Sequence, residues 1–304
     1  MAPTPSPRAT STAPAGPVAV PPALRRLQLG FRLLSAVSTR LAFRAAWRVF
    51  TTPRRLLPKK WEAAALQEAR GFAVPFGAGA LAAYEWGAAA APTVLLVHGW
   101  EHRASFWGAF ARGLVAAGYR VVAFDGPAHG ASPGRRTTLP EYGAAVQAVA
   151  EAVGPVWGVV AHSFGAAATA GLPVSFNGGQ ALPRLVLLSV PGSTPAVFQR
   201  FAELLQLSDL VLSHLLAFVE ARGGRQVESF SLTRPGHAVP ARRALLFHDQ
   251  ADDTIPFAEA EAIARHWPGL DFRPTTGLGH NRIMRDAAVI GQAVAFLRAD
   301  EAGN

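Results

Sequence analysis

Apolar residues occur in short, nearly continuous runs over residues 93–276, and most of these runs are followed by a stretch with helical spacing. Uninterrupted apolar runs are typical of strands that are buried on both faces, as in parallel sheets. Their alternation with helices predicts an α/β fold, in which helices cover both faces of a mostly parallel central sheet. The predicted parallel strands are 93–98, 120–125, 156–161, 184–189, 241–248 and 271–276. The predicted helices are 104–117, 140–153, 164–172, 195–222, 257–266 and 285–298.

The first part of the chain has a different pattern. Residues 1–22 are rich in Pro, Ala, Ser and Thr, a composition that predicts disorder. Residues 23–50 carry apolar residues and arginines at helical spacing, which predicts one or two helices that end before Pro53. We therefore assign residues 23–70 to a helical extension of the main domain.

A β-hairpin is predicted immediately before the first parallel strand. Its strands are residues 72–75 and 81–86, which are separated by a sequence with two glycines. The hairpin marks the beginning of the α/β domain, which we place at residues 71–299.

Positive charge is concentrated in the first sixty residues, which contain nine arginines, two lysines and no aspartate or glutamate. The whole chain of 304 residues has a net charge of +9, so the remainder is close to neutral. Such a basic segment is compatible with helices that pack on the domain and expose their arginines to water. It is also compatible with a peripheral contact of residues 23–60 with an anionic membrane, whereas no nucleic-acid partner is expected.

The composition excludes several classes of protein. The chain has no cysteine, which rules out disulfides, thiolate metal sites and cysteine nucleophiles. It contains neither an apolar run of about eighteen residues nor an apolar segment near the N-terminus, so no membrane span and no secretory signal are predicted. We expect a cytoplasmic protein, with a peripheral position at the membrane as an alternative, and the sequence leaves the oligomeric state open.

The sequence AHSFG at 161–165 places Ser163 between a buried strand and a short helix. A tight turn at such a junction raises the hydroxyl above the edge of the sheet, and small flanking residues let the backbones approach each other. Gly165 satisfies this requirement, and Ala161 is small enough to replace the glycine that is usual at its position. Ser163 is therefore a candidate nucleophile, and a helix N-cap is the alternative interpretation.

A serine hydroxyl needs a base that removes its proton and a third group that orients this base. His280 follows the last predicted strand in a glycine-containing loop and is the candidate base, although an isolated loop histidine is more often inert. The acid should follow the preceding strand, where Asp249, Asp252 and Asp253 all occur. The spacing of these acids is not that of a calcium loop, so no metal site and no cofactor are predicted.

Ester chemistry also needs two donors for the oxyanion that develops in the transition state. The backbone N–H of Phe164, directly after the candidate nucleophile, is one candidate. The other is the N–H of Trp100 in the sequence HGW at 98–100, which follows the first parallel strand. An ordinary strand-ending turn is the alternative interpretation of His98 and Gly99.

Five motifs make residues 71–299 resemble the α/β-hydrolase fold superfamily. They are VHGW (97–100), FDGPAHGAS (124–132), AHSFG (161–165), HDQADDTIP (248–256) and GLGH (277–280). The second motif is similar to the family's D-x-x-x-H-G-x-S segment, which implies a structural loop beside the site.

The resemblance also implies catalytic roles. It assigns Ser163 as the nucleophile and His280 as the base, and this serine excludes the branch that uses an aspartate nucleophile. It assigns Asp252 as the acid, because Asp252 stands four residues before Pro256, as in the family's D-x-x-V-P stretch. Asp253 is the second choice.

The activity implied is that of a cofactor-independent serine hydrolase that forms an acyl-enzyme. We expect a carboxylesterase for an apolar, uncharged small-molecule ester, because aromatic residues lie near the predicted site: Trp100, Phe106, Trp107 and Phe164. Residues 190–240 correspond to the family's lid, and their many leucines either wall an acyl pocket or cover the core. A lipase, thioesterase, peptidase, acyltransferase or perhydrolase would share the same triad, and a membrane-associated binding protein without catalysis is an alternative of another class.

Overall fold

One sheet of eight strands forms the centre of the computed structural model, which describes residues 21–237 and 240–299. In chain order the strands are β1 (Arg70–Phe76), β2 (Gly79–Trp86), β3 (Thr93–Val97), β4 (Arg120–Phe124), β5 (Val156–His162), β6 (Leu182–Leu188), β7 (Ala241–Asp249) and β8 (Asp271–Thr275). Across the sheet the order is β1-β2-β4-β3-β5-β6-β7-β8. The hairpin β1–β2 and the pair β2–β4 are antiparallel, and the other neighbouring strands are parallel. The predicted mostly parallel sheet is thereby confirmed.

Helices cover both faces of this sheet. In chain order they are α1 (Pro22–Val37), α2 (Thr39–Thr51), α3 (Lys60–Gln67), α4 (Gly108–Ala116), α5 (Leu139–Val153), α6 (Ser163–Gly171), α7 (Thr194–Leu205), α8 (Asp209–Gly223), α9 (Phe257–His266), α10 (Gly279–Arg282) and α11 (Ala287–Arg298). One apolar core lies between the sheet and α5, α6 and α9, and a second lies between the sheet and α4 and α11. Within β3, Leu95 belongs to the first core and Leu96 to the second, because successive strand residues point to opposite faces.

The prediction of one helix over residues 195–222 is wrong. The structure has two helices there, separated by Gln206, whose left-handed backbone has a φ of 53°. Ser208 precedes α8 and Asp209 begins it, and both residue types favour a helix N-terminus. The high leucine content of residues 195–222 hides this helix-start signal in the sequence. The break allows α7 and α8 to fold back on each other around a shared apolar core.

The first two helices of the N-terminal extension, α1 and α2, pack on these two helices. Ser38 separates α1 from α2 and caps α2, because its side chain accepts a hydrogen bond from the N–H of Leu41. α1 packs on α7 and α2 packs on α8. These contacts form a third apolar core, separate from the two at the sheet, which includes Phe31, Ala46 and Phe198. We refer to α1, α2, α7 and α8 as the four-helix cluster.

Two further expectations concern the ends of the chain and membranes. The segment 1–22, for which the composition predicts disorder, lies outside the described residues except for its last two positions. None of the described helices is long and apolar enough to cross a membrane.

Candidate active site

Ser163 lies where the chain turns sharply from β5 into α6. β5 ends at His162, α6 begins at Ser163, and the φ of Ser163 is +51°. This conformation is unfavourable for a residue with a Cβ, and such strain is concentrated at functional sites. Ser163 occupies the first helical position rather than the N-cap, and its hydroxyl faces His280, so the N-cap interpretation is wrong.

Two glycines allow the backbone around this turn to pack closely. A Cβ on Gly165 would lie 2.2 Å from the carbonyl oxygen of His98, so a side chain would push α6 away from the end of β3. A Cβ on Gly99 would lie 3.0 Å from the Cβ of Ser163. Ala161, which replaces the usual glycine, is fully buried in β5 and is accommodated there.

The structure brings three of the predicted site residues together. His280 Nε2 lies 3.0 Å from the hydroxyl oxygen of Ser163, and His280 Nδ1 lies 2.8 Å from a carboxylate oxygen of Asp252. Each of the three residues exposes less than a tenth of its surface. Since a carboxylate only accepts, the Nδ1 of His280 donates to Asp252, and its Nε2 is left to accept a proton from the serine. His280 lies in the short helix α10 rather than in the open loop that the sequence predicts.

Asp252 is the only one of the three neighbouring acids in contact with His280 among the described contacts. Its second carboxylate oxygen accepts hydrogen bonds from the N–H groups of Thr254 and Ile255, both at 2.9 Å. Burial alone would raise the pKa of Asp252, but the hydrogen bonds from His280 and from these two amides outweigh burial and lower it. Asp253 is exposed and accepts a hydrogen bond from the hydroxyl of Thr254.

Asp249 holds the loop that leads to His280. Its carboxylate accepts hydrogen bonds from the hydroxyl of Thr275 at 2.7 Å and from the N–H of Leu278 at 3.0 Å. Burial would raise its pKa, but the backbone N–H of Gly279, the hydroxyl of Thr275 and the N–H of Leu278 lower it. Asp249 is therefore ionised at neutral pH and ties the end of β7 to the segment that carries the histidine.

Two buried histidines beside the site are not singled out by the sequence analysis. His162 donates from Nε2 to the carbonyl oxygen of His280 at 2.9 Å and so fixes the backbone of α10. His248 donates from Nε2 to the carbonyl oxygen of Ile255 at 2.9 Å, and the same nitrogen lies 3.4 Å from Asp252. Both lie inside quoted motifs, but only their three-dimensional contacts distinguish them from ordinary core residues.

The two predicted oxyanion donors belong to residues whose aromatic rings are in contact, and one of these residues directly follows Ser163. The backbone N–H groups of Trp100 and Phe164 donate no hydrogen bond to any described residue, and the two aromatic rings lie 5.1 Å apart. Phe164 is in the first turn of α6, where N–H groups lack partners within the helix. Both amides are thus available to a developing negative charge.

An ion pair holds the residue after Trp100. Glu101 has a left-handed backbone with a φ of 60°, and its carboxylate accepts hydrogen bonds from the Nε, Nη2 and backbone N–H of Arg54. Burial would raise the pKa of Glu101, but the hydrogen bonds from Arg54 lower it. The segment after α2 is therefore fastened to the loop that carries Trp100, one of the two predicted oxyanion donors.

A comparison with family models assigns the chain to a known family. The model of the alpha/beta hydrolase family matches residues 94–293, a range that contains Ser163, Asp252 and His280. The chain belongs to the alpha/beta hydrolase family. No curated protein sequence matches the chain.

Solved structures share the fold of this hydrolase at low sequence identity. An esterase from Pyrococcus furiosus is 19% identical, with a TM-score of 0.59, and the match covers 81% of this chain and 98% of the esterase. A thioesterase domain from the curacin biosynthetic pathway is 17% identical, with a TM-score of 0.53 over 76% of this chain and 99% of the domain. Alpha/beta hydrolase domain-containing protein 10 from mouse is 16% identical, with a TM-score of 0.56 over 75% of this chain and 96% of that one.

The aromatic surroundings of the hydrolase site differ from the prediction in one position. Trp100 and Phe164 are half-buried beside Ser163, and Phe106 stacks on His102 with ring centroids 4.2 Å apart. Trp107, in contrast, is fully buried against Phe110 in the core beneath α4. The difference arises because residues 104–107 form a 3₁₀ turn before α4, which directs neighbouring side chains to opposite sides.

The described part of the hydrolase has no cluster of side chains that could bind a metal ion. Within residues 21–237 and 240–299, no group of three or more histidine, aspartate or glutamate side chains is placed to hold an ion.

Buried histidines should make the stability of the hydrolase depend on pH. Burial lowers the pKa of His129 to about 4 and that of His102 to about 4, and it lowers the pKa of His98 and His162 well below the usual value. Below about pH 6.5 the unfolded chain therefore binds protons that the folded chain does not, so stability falls as the pH decreases toward 4. Each histidine contributes up to about 1.4 kcal/mol per pH unit in this range.

Urea unfolding at several pH values between 4 and 7 checks this expectation. The His129→Asn variant keeps a side-chain donor for the carbonyl of Pro127, and the slope of stability with pH should decrease by about one proton. The His266→Gln substitution removes an exposed histidine and is the control for the loss of a histidine that is not buried. An identical slope in wild type and His129→Asn would contradict the assignment of a neutral buried His129.

Proposed function

We propose that this hydrolase is a carboxylesterase that uses Ser163, His280 and Asp252 as its catalytic triad. The observation that supports it most is the continuous hydrogen-bonded chain from the serine hydroxyl through both ring nitrogens of His280 to the carboxylate of Asp252. Nucleophile, base and orienting acid need this order and these distances for acyl transfer.

In the first step the Oγ of Ser163 attacks the ester carbonyl while the Nε2 of His280 takes the hydroxyl proton. The carbonyl oxygen becomes an oxyanion, and the N–H groups of Trp100 and Phe164 donate to it. When the tetrahedral intermediate collapses, His280 returns the proton to the leaving alcohol, and the acyl group stays on Ser163. Asp252 stabilises the imidazolium throughout this step.

In the second step a water molecule takes the place of the alcohol. His280 removes a proton from this water, the hydroxide attacks the acyl carbon, and the same two N–H groups stabilise the second oxyanion. Collapse releases the carboxylic acid and returns the proton to Ser163. No cofactor or metal ion takes part in these steps.

An apolar, uncharged ester fits the surroundings of the triad best. The side chains nearest to the oxyanion donors are the half-buried rings of Trp100 and Phe164. The charged residue next to Trp100, Glu101, is paired with Arg54 and so offers no unpaired charge to an ionic substrate. We assign the lid role to α7 and α8, which lie within residues 190–240 and form part of the four-helix cluster.

Hydrolysis of p-nitrophenyl esters with acyl chains of increasing length tests the proposal. Turnover should be measurable for short or medium chains, and a matched thioester and anilide should be cleaved more slowly. A preference for the thioester or the anilide would favour a thioesterase or a peptidase with the same triad. Absence of turnover, together with failure of a fluorophosphonate to label the protein, would contradict the proposed activity.

The ion pair between Arg54 and Glu101 should position one oxyanion donor. Replacement of Arg54 by glutamine removes the three guanidinium hydrogen bonds that hold Glu101, with its left-handed backbone, next to Trp100. Loss of a complete oxyanion donor costs about 10²–10³ in kcat, so a displaced donor should lower kcat by about tenfold with little change in KM.

Arg70→Gln is the matched control for this prediction. Arg70 is a similarly exposed arginine that pairs with a buried acid, Glu85, at the far edge of the sheet. Its replacement should leave kcat unchanged, and Arg54→Lys should restore part of the activity. Equal kcat values for Arg54→Gln and wild type would show that Arg54 does not position the oxyanion donor.

A further inference from the structure

The outer surface of α1 and α2 has an apolar groove that ester hydrolysis does not use. The groove has a volume of about 550 Å³, and its apolar lining includes Leu27, Leu33, Leu34, Val37 and Val49. Val37 is 81% exposed and Leu33 is 61% exposed. Contiguous exposed apolar side chains of this kind mark an interaction surface rather than a surface adapted to water.

A basic pocket adjoins this groove on α2. Its volume is about 500 Å³, and Arg44, Arg48 and Arg136 surround the rings of three aromatic residues: Phe43, Trp47 and Phe218. Ala45 lines both the groove and this pocket, so the two are neighbours on one helix. None of the three arginines forms an ion pair with a residue that the structure describes.

The charge of this surface has one sign. The first acidic residue of the chain is Glu62, so α1 and α2 contain no carboxylate at all. Their exposed cations are Arg25, Arg26, Arg32, Arg40, Arg44 and Arg48. Helix packing within the four-helix cluster needs none of these side chains, because its core is formed by apolar residues such as Phe31 and Ala46.

We propose that the α1–α2 face is a docking surface for an anionic lipid bilayer. The exposed leucines and valines of the groove enter the interfacial region, and the arginines remain at the level of the phosphate headgroups. Apolar side chains beside a cluster of cations are the combination by which amphipathic helices bind such membranes. The proposal does not depend on the esterase activity.

The composition of the face argues against two other occupants. A second copy of the chain placed symmetrically on this face would bring arginines against arginines, with no carboxylate on either side to compensate them. A nucleic acid would leave Leu33 and Val37 exposed, because its backbone offers no apolar surface to cover them. Only a lipid interface satisfies both the apolar and the basic half of the face.

Co-sedimentation with vesicles of phosphatidylcholine, with and without one third phosphatidylglycerol, tests docking by the full-length protein. Binding to the anionic vesicles should exceed binding to the neutral ones by at least about tenfold at low salt. An increase in salt should weaken binding, because screening removes the arginine contribution.

Two double variants separate the basic from the apolar contribution. Arg44→Gln with Arg48→Gln should weaken binding to anionic vesicles by about thirtyfold, at roughly 1 kcal/mol for each arginine near the surface. Leu33→Ser with Val37→Ser should weaken it by at least about tenfold, and the loss should persist at high salt. Arg112→Gln with Arg265→Gln removes the same charge from exposed positions on α4 and α9 and is the matched control, which should bind like wild type.

Each of the following outcomes would overturn the proposal. If the control pair weakens vesicle binding equally, the vesicles are attracted only by the net charge of the protein. If duplex DNA or RNA binds more tightly than anionic vesicles, the face belongs to a nucleic-acid partner. A dimer in sedimentation equilibrium that dissociates in the Leu33→Ser, Val37→Ser variant would assign the face to a second copy. Thermal melting shows whether each variant is folded, and cleavage of a soluble p-nitrophenyl ester should be unchanged in all of them, which separates this test from that of the esterase.

Discussion

Replacement of Ser163 by alanine should lower kcat for a p-nitrophenyl ester by a factor of about 10⁴ or more. The hydroxyl is the proposed nucleophile, and members of a triad act as a unit, so the loss of one removes almost all of the covalent pathway. KM should change little, because the surrounding side chains stay in place. A fluorophosphonate should form an adduct with the wild type, detectable by intact-protein mass spectrometry, and none with Ser163→Ala.

Ser189 provides a matched control for this experiment. It follows the neighbouring strand β6, is fully buried, and has a left-handed backbone with a φ of 47°. Its hydroxyl has no hydrogen-bond partner among the described residues, so no described histidine is bonded to it as a base. Ser189→Ala should retain labelling and turnover within about threefold of wild type. Labelling that survives in Ser163→Ala but disappears in Ser189→Ala would transfer the nucleophile role to Ser189.

Replacement of Asp252 by asparagine should lower kcat by about 10³–10⁴. The side-chain amide of asparagine can donate an N–H to Nδ1 of His280. This contact stabilises the tautomer that carries its proton on Nε2, and in that tautomer Nε2 cannot accept the proton of Ser163. The main-chain hydrogen bonds from Thr254 and Ile255 to the retained side-chain oxygen should keep the loop folded. Steady-state kinetics and thermal melting measure the two effects separately.

Asp253→Asn is the matched control for Asp252→Asn. Asp253 is exposed and pairs only with the hydroxyl of Thr254 in the described contacts, so its replacement should lower kcat by less than tenfold. A larger loss for Asp253→Asn than for Asp252→Asn would show that the acid is the neighbouring residue. Equal losses accompanied by lowered melting temperatures would assign both residues to loop stability and contradict the triad.

Local sequence patterns predicted most of the elements that position the site. The apolar runs at β3, β5 and β7 belong to strands buried on both faces, and such strands have a signal that does not depend on distant residues. The serine turn is also local, because small residues on both sides of Ser163 are needed wherever the chain makes that turn. Helix boundaries were less predictable, as at Gln206, where tertiary packing selects a left-handed residue that the sequence does not require.

The supports of the site could not be predicted in the same way. His162 bonds to the carbonyl of His280, which is 118 positions away, and Arg54 binds Glu101 across 47 positions. A buried histidine and a surface arginine have no sequence signature for such partners. Their contacts arise only when the ends of several strands meet at one edge of the sheet.

The sequence by itself determined the order of strands and helices, the residue types available at each strand end and the concentration of positive charge in the first sixty residues. The family resemblance favoured Asp252 among three neighbouring aspartates, but its contact with His280 is visible only in the tertiary structure, as is the burial of particular leucines of the extension. A one-residue shift in a loop reverses the direction of a side chain, so Asp252 faces inward and Asp253 faces solvent. On α1, Phe31 lies in the core of the four-helix cluster, while Leu33, two positions further along, remains exposed. Residues two positions apart on a helix point to different sides, and long-range packing decides which side is buried.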